Sequence, residues 1–206
     1  MKNLFFAAIL AVMAYGCATT PTQTQTNTNT GTTKNTDTPG TNRPRYTISV
    51  TQKGVSLGNI VVEMFPDVAP KHVRNFDSLV SIGFYDGTAF HRVIPGFVIQ
   101  GGDPASKTEP RERWGFGMPG QTRVPAEFNK IPHTRGIISA ARSNDPNSAS
   151  SQFFICVDEA ASLNEKYTVY GQVVSGMEVA DIIVNSPRDT KDNPIDKISM
   201  TITKNK

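Results

Sequence analysis

The chain of 206 residues carries 21 Lys and Arg against 18 Asp and Glu, a formal charge of +3, with 37% hydrophobic residues, 16 Gly, 14 Pro and two Cys. That length accommodates one domain of roughly 150 residues with its own core plus an appendage. It excludes a disulfide-stapled miniprotein, and the lack of repeated apolar runs of about 20 residues excludes a polytopic membrane protein. The sequence pI of 8.9 invites a nucleic-acid partner, but the excess charge lies near the N-terminus. Lys2, Lys34, Arg43 and Arg45 oppose only Asp37, whereas from Tyr46 onward 17 basic residues meet 17 acidic ones. No nucleic-acid binding is therefore expected.

Lys2 followed by the apolar run over residues 4–14 reads as a secretory signal, with a positive start and a hydrophobic stretch too short to span a bilayer. Ala14-Tyr15-Gly16-Cys17 then resembles a bacterial lipobox, which implies cleavage after Gly16 and a diacylglyceryl group on Cys17. Ala14 and Tyr15 depart from the usual Leu and small residue of that box, and plain secretion is the alternative. A lipid chain contributes about 0.8 kcal/mol of membrane affinity per buried CH₂. A disulfide between Cys17 and Cys156 is the weaker reading, because Cys156 sits inside the apolar run FFICV and reads as a small core residue.

Between residues 18 and 45 twelve of 28 positions are Thr, with mostly Asn, Gln, Pro and Gly around them and no aromatic or large aliphatic side chain. Such a segment cannot bury enough apolar surface to offset the cost of ordering it, so a disordered tether is expected, holding the domain on the order of 30 Å from its attachment. The expected organisation is a signal peptide over residues 1–16, a lipidated cysteine and tether over 17–45, and a folded domain over 46–206.

In that domain Ile48 and Val50 alternate with polar residues, and Ile60, Val62 and Met64 do so again before Pro66, which is strand periodicity. Ala69, Val73, Phe76 and Val80 then fall on one helical face, with Pro70 near the start and Gly83 past the end. Short apolar runs follow at 97–99, 136–141, 152–157 and 169–174. Ser175 with Glu178 forms a capping box ahead of a second helix carrying Val179, Ile182 and Ile183. Ile198, Met200 and Ile202 close the chain as a strand. Eight or so short strands with two helices predict a mainly β fold, an antiparallel sheet closed into an eight-stranded barrel and capped by two α-helices.

Familiar cofactor chemistry is missing from the sequence pattern. His72, His91 and His133 show no metal-ligand spacing, so no metal is expected. Gly115-Phe116-Gly117-Met118-Pro119-Gly120 matches G-x-G-x-x-G, but it follows Arg113-Trp114 and not an apolar strand, so it reads as a loop. Neither a G-x-S-x-G elbow nor a P-loop occurs.

The informative stretch is Phe90-His91-Arg92-Val93-Ile94-Pro95-Gly96-Phe97-Val98-Ile99-Gln100-Gly101-Gly102-Asp103, in which an arginine and a glutamine interrupt an apolar, aromatic context. Either a core carboxylate pairs the arginine or something uses it. This segment closely resembles the signature of the cyclophilins, as do Gly136-Ile137-Ile138-Ser139-Ala140-Ala141-Arg142, Ser151-Gln152-Phe153-Phe154-Ile155 and Val169-Tyr170-Gly171-Gln172-Val173-Val174. The resemblance runs in order through residues 46–206.

It implies the eight-stranded, helix-capped barrel and catalysis of cis/trans isomerisation at Xaa-Pro bonds, with no cofactor. The amide barrier of about 18–20 kcal/mol makes the uncatalysed step take tens of seconds or longer. A millisecond turnover needs roughly 10⁴–10⁵-fold acceleration, or about 5.5–7 kcal/mol. By position in the motifs, Arg92 would donate to the prolyl nitrogen as its lone pair localises, and Gln100 would orient Arg92 and bind the substrate backbone. Phe97, Val98, Phe154 and Leu163 would form the proline pocket, Arg142 would contribute its main chain, and Ala141 and Gln152 would line the adjoining groove. His91 is expected to pack beside Arg92 and His133 to make structural hydrogen bonds.

Departures from the family pattern are Val98 in place of Met, Ser162 in place of a large ring, Tyr167 in place of His, and a loop between Arg142 and Ser151 about one residue longer. Tyr167 keeps an aromatic wall with altered polarity, and Ser162 removes a contact of the drug cyclosporin. Expected partners are proline-containing polypeptides, exported clients above all, and a membrane reached through the lipid on Cys17 at the bacterial envelope, with the protein a monomer. The competing functional reading is a non-catalytic proline-peptide-binding module or holdase.

Overall fold

The computed structural model describes residues 43–206. The expected signal peptide, Cys17 and all but the last three residues of the expected tether lie outside the described residues. Eight strands pair antiparallel throughout: β1 (Arg45–Gln52), β2 (Val55–Met64), β3 (Thr88–Ile94), β4 (Val98–Asp103), β5 (Ile137–Ala140), β6 (Phe153–Cys156), β7 (Val169–Ser175) and β8 (Ile198–Lys204). They close in the order β1-β2-β7-β5-β6-β4-β3-β8. The expected closed barrel is what forms. Closure is completed by β1 against β8, from Tyr46 opposite Lys204 to Gln52 opposite Ile198, and it leaves no free sheet edge to manage.

The folded body begins slightly before Tyr46. Arg45 is the first residue of β1 and pairs with Glu63 at 2.9 Å. Arg43 reaches Asp67 with two hydrogen bonds of 3.0 and 2.7 Å and lies 4.2 Å from the Phe65 ring centroid. These two cations, read in the sequence as tether, are fastened to the barrel.

Strand alternation places Tyr46, Ile48 and Val50 of β1 and Ile60, Val62 and Met64 of β2 in one buried core, as period-2 patterning requires. α1 (Pro70–Ser81) packs on the barrel, contributing Val73, Phe76 and Val80 to its core. Its Phe76 ring meets Tyr46 edge-on at 5.2 Å, Tyr85 at 5.3 Å and Phe153 at 6.1 Å, geometry that adds to area burial. α3 (Met177–Val184) buries Val179, Ala180, Ile183 and Val184, with Val179 against β2 at Gly58. A third helix of a single turn, α2 (Ala105–Thr108), is additional to the two expected.

α1 begins at Pro70 as expected, but the second helix is not capped as expected. Ser175 is the last residue of β7, paired opposite Val61, so it cannot form the expected capping box. The N-cap is Gly176 at φ +91°, where a Cβ would stand 2.1 Å from the Asn59 carbonyl oxygen. The chain turns from strand into helix against the backbone of β2, and only glycine fits.

α1 has no cap of its own either. Its free Lys71 and His72 amides donate to the Glu127 carboxylate at 3.0–3.1 Å, which also contacts His72 Nδ1 at 2.7 Å. Burial alone would raise the Glu127 carboxyl, but these bonds outweigh it and hold the group below its usual range. The cap thus comes from a loop 55 residues away along the chain.

Replacing Glu127 by Ala leaves two helix amides and a buried imidazole without their partner. A loss of about 2–3 kcal/mol is expected, read as a lower midpoint in chemical denaturation; an unchanged midpoint would show that the helix end finds its partners elsewhere.

Candidate active site

Alternation along the strands sorts side chains to the two faces of the barrel wall. Ile99, Phe153 and Ile155 belong to the interior core, while Val98, Phe154 and Cys156 join Phe65, Ile137, Ala160 and Val169 in a second buried cluster. Phe97, Ala141, Leu163 and Tyr167 pack on that cluster half-buried. Burial pushes the Cys156 thiol up to about 12, so it stays a neutral filler behind the surface.

The pairing of β3 with β4 is irregular at two places, with Gly102 extra on β4 and His91 extra on β3. Phe90 lies opposite Gly101 and Arg92 opposite Gln100, so His91 is an extra residue against β4, a β-bulge. Strict alternation would put Phe90 and Arg92 on the same face. With the bulge, Phe90 and Val93 both enter the core and Arg92 points outward beside Gln100, which is how a bulge re-aims a side chain.

Arg92 is exposed, and its closest polar neighbour is Gln100, with Nη1 a long 3.5 Å from Oε1. Gln100 Nε2 donates to Gln152 Oε1 at 3.1 Å, and Gln152 Nε2 to the Gly115 carbonyl at 3.1 Å. A core carboxylate paired to Arg92, one of the two readings of the sequence, is not present among the described residues.

Arg92 and Gln100 stand over a pocket of about 220 Å³ whose other walls are Phe97, Val98, Ala141, Arg142, Phe154, Leu163 and Tyr167. This is smaller than the roughly 300–1,000 Å³ of sites for drug-sized ligands and suits a single small ring. Gln152 lies outside it, in an adjoining groove of about 420 Å³ shared with Gln100, Ala141 and Arg142. The structure therefore brings together all ten residues picked from the sequence, nine around one pocket and the tenth beside it.

The walls are fixed by aromatic and hydrogen-bond contacts. Phe154 stacks on His133 with centroids 5.9 Å apart and meets Tyr167 edge-on at 5.6 Å. His133 is buried, contacting Asn164 through Nδ1 at 3.2 Å and Ser139 through Nε2 at 3.1 Å, so its role is to hold the wall. The Arg142 guanidinium covers Tyr167 at 4.5 Å and donates to the Lys166 carbonyl at 3.1 and 2.9 Å, a bracing role of the side chain that the sequence did not suggest. Ser162 is exposed beyond the pocket.

Two further supports escaped the sequence reading. Asp103 is fully buried, and its carboxylate accepts from the Ala105 amide at 3.0 Å, from Gly117 at 3.2 Å and from Gly115. It anchors the loop over residues 115–120, the G-x-G-x-x-G match, as one wall of the adjoining groove. Gly115 sits at φ +92° with His91 within 3.5 Å of where a Cβ would be. A buried acid ending the strand motif and a glycine-rich loop close after it were the available signals.

His91 is 5% exposed with neither ring nitrogen partnered, and burial pushes its pKa down to about 4. It is a neutral packing residue beneath Gly115, as expected. No group of three His, Cys, Asp or Glu able to hold a metal occurs among the described residues.

Comparison with known proteins agrees with this architecture. The model of the family described as cyclophilin type peptidyl-prolyl cis-trans isomerase matches residues 45–205. A Brucella suis protein named "Probable peptidyl-prolyl cis-trans isomerase" is 49% identical over 130 residues, covering 61% of this chain and 66% of its own length. A Dictyostelium discoideum peptidyl-prolyl cis-trans isomerase-like 3 is 40% identical over 159 residues, covering 73% and 92%. The crystal structure of a cyclophilin-type isomerase of Cryptosporidium parvum superposes with a TM-score of 0.70 at 31% identity, covering 80% of this chain and 98% of that one. The same protein has been crystallised in the presence of the dipeptide Ala-Pro. The chain belongs to the cyclophilin-type peptidyl-prolyl cis-trans isomerase family. It spans just under two thirds of the length of the Brucella relative.

The buried histidine has a consequence for stability. Its folded pKa of about 4 lies below the usual 6.5, so between those values the unfolded chain binds the extra proton and stability falls as pH is lowered. Thermal unfolding should show a midpoint that drops from pH 6.5 toward pH 4, and His91→Gln should flatten that slope; an equal slope in both proteins would assign the acid sensitivity to other groups.

Proposed function

We propose that this chain is an active peptidyl-prolyl cis-trans isomerase that uses the 220 Å³ pocket to hold the proline ring. The observation that carries the reading is an arginine with no carboxylate partner among the described residues, aimed by a bulge over a pocket of single-ring size. Rotation about an Xaa-Pro bond needs no nucleophile and no proton transfer. It needs the ring held while the preceding carbonyl turns, and a donor for the prolyl nitrogen, whose lone pair localises as conjugation is lost.

Phe97, Val98, Phe154 and Leu163 seat the ring, with Tyr167 completing the wall. Arg92 donates to the nitrogen, a bond made only in the twisted state and so lowering the barrier without tightening ground-state binding. Gln100 steadies the guanidinium and, with Ala141, Gln152 and the main chain at Arg142, holds the flanking backbone. Tyr167 supplies a hydroxyl to the pocket wall and alters peptide preference.

The N-terminal pattern extends the proposal. Cys17, lipidated after removal of residues 1–16, anchors a monomeric domain at the bacterial envelope, where its clients are exported polypeptides awaiting proline isomerisation. Support comes from the lipobox-like Ala14-Tyr15-Gly16-Cys17 and the Thr-rich stretch beyond it.

Isomerisation of a short Xaa-Pro peptide tests the mechanism. Arg92→Ala should lower kcat/KM by about 10²–10³-fold, the loss typical of removing one transition-state donor, with Arg92→Lys between that and wild type. Equal rates in wild type and Arg92→Ala would remove the catalytic assignment and leave a proline-binding module. The anchor is read by intact mass of membrane-extracted protein: an N-terminus at Cys17 carrying added acyl mass is expected, and an unmodified soluble product overturns it.

A further inference from the structure

The proline pocket shares two lining residues with a second cleft that the isomerase reading does not use. Arg92 and Gln100, which border the pocket, also border a cleft of about 550 Å³. Its other walls come from two segments, one carrying Trp114 and Phe116 and the other the turn over residues 189–193.

Both segments are built to keep their shape. The Trp114 indole N–H donates to the Glu109 carbonyl at 2.9 Å. The Asp189 carboxylate closes its own turn on the amides of Lys191 and Asn193 at 2.8 and 2.9 Å. Arg111 ties the two together: it donates to Asn193 Oδ1 and the Ile195 carbonyl at 2.7 Å each and to the Pro194 carbonyl, while its guanidinium lies 5.0 Å from the Trp114 ring. The Asp103 carboxylate, by holding Gly115 and Gly117, displays Phe116 between them. Phe116 is 80% exposed, more than any other large apolar side chain among the described residues.

A polypeptide with its proline in the pocket leaves it in two directions, and each residue extends at most about 3.6 Å. With Arg92 and Gln100 common to both cavities, a residue one or two positions from the proline lies within reach of the cleft. Charge gives it little to select with. Arg111 is committed to the turn, and the remaining cations Arg92 and Lys191 are matched in number by Glu112 and Asp189. The rings of Trp114 and Phe116 give it much more. We propose that this cleft is a second subsite, selecting substrates with an aromatic or large aliphatic side chain within two residues of the proline. The proposal rests on the isomerase reading for its substrate.

Trp114 is the chain's single tryptophan, so its emission reports on the cleft without reference to catalysis. Three blocked peptides serve: one with alanines around the proline, one with Phe two residues before it and one with Phe two residues after it. One of the two Phe peptides is expected to exceed the alanine peptide in kcat/KM by about 5–10-fold, chiefly through KM, as an aromatic contact allows. The same peptide should shift Trp114 emission, and Phe116→Ala should bring the ratio toward one. In Arg92→Ala the emission shift should persist while turnover falls.

A flat ratio with silent tryptophan at saturating peptide overturns the subsite and leaves the isomerase intact. An equal response to both Phe peptides also overturns it, since one cleft serves one direction. An emission shift without turnover by the wild type overturns the isomerase reading and leaves the cleft standing.

Discussion

One extra residue in β3 decides where the chemistry can be. Without the bulge at His91, Phe90 and Arg92 would share a face. Either a guanidinium would then enter the barrel core or a phenyl ring would lie on the surface, and a charge in that core without a partner is not sustainable. The bulge lets β3 send Phe90 and Val93 inward and Arg92 outward to stand opposite Gln100. The displaced residue is itself buried, and that burial lowers the pKa of its ring and keeps it neutral.

The pocket divides the work between rigid strands and pinned loops. Val98, Gln100 and Phe154 come from paired β4 and β6, where position is set by barrel register. Ala141, Arg142, Leu163 and Tyr167 come from connecting segments pinned by hydrogen bonds and ring contacts, the Ala141 amide donating to the Gln152 carbonyl at 3.0 Å and the Leu163 amide to the Ala160 carbonyl at 2.9 Å. Arg142 bonds to the carbonyl of Lys166, while His133 links Ser139 and Asn164. On the other side the Asp103 carboxylate gathers the glycine-rich loop. Reaction by rotation places its demand on this stiffness, because a wall that yielded with the substrate would lose the preference for the twisted amide.

Much of this was legible in the residues. Alternation at 48–50, 60–64 and 198–202 and the helical face at 69–80 are local signals, and they led to the barrel and α1. The pocket residues came through the family resemblance and not through periodicity, since a Phe in a strand ordinarily fills a core. What stayed hidden is non-local. Glu127 caps α1 from a distant loop, and no pattern within 70–81 announces it. Ser175 and Glu178 satisfied the local rule for a capping box, but pairing with β2 claimed Ser175 first and Gly176 took the turn. The bulge was invisible because residues 90–94 admit two facings, and only pairing with β4 chooses between them. Trp114 and Phe116 read as loop, and their nearness to Arg92 depends on a carboxylate at the end of β4.

The ladder of β1 on β8 joins Tyr46 to Lys204, nearly the whole domain apart in sequence, and Asn205 returns a hydrogen bond to the Arg45 carbonyl at 2.9 Å. The barrel therefore cannot shut until β8 exists. During synthesis β1 must wait, its outer edge unpaired, while the intervening residues emerge. Such long-range closure is slow by nature, because loop entropy must be overcome before the pairing contacts form. Arg45 and Asn205 thus lie side by side at one end of the barrel, so chain entering at β1 and chain leaving after β8 pass at the same place.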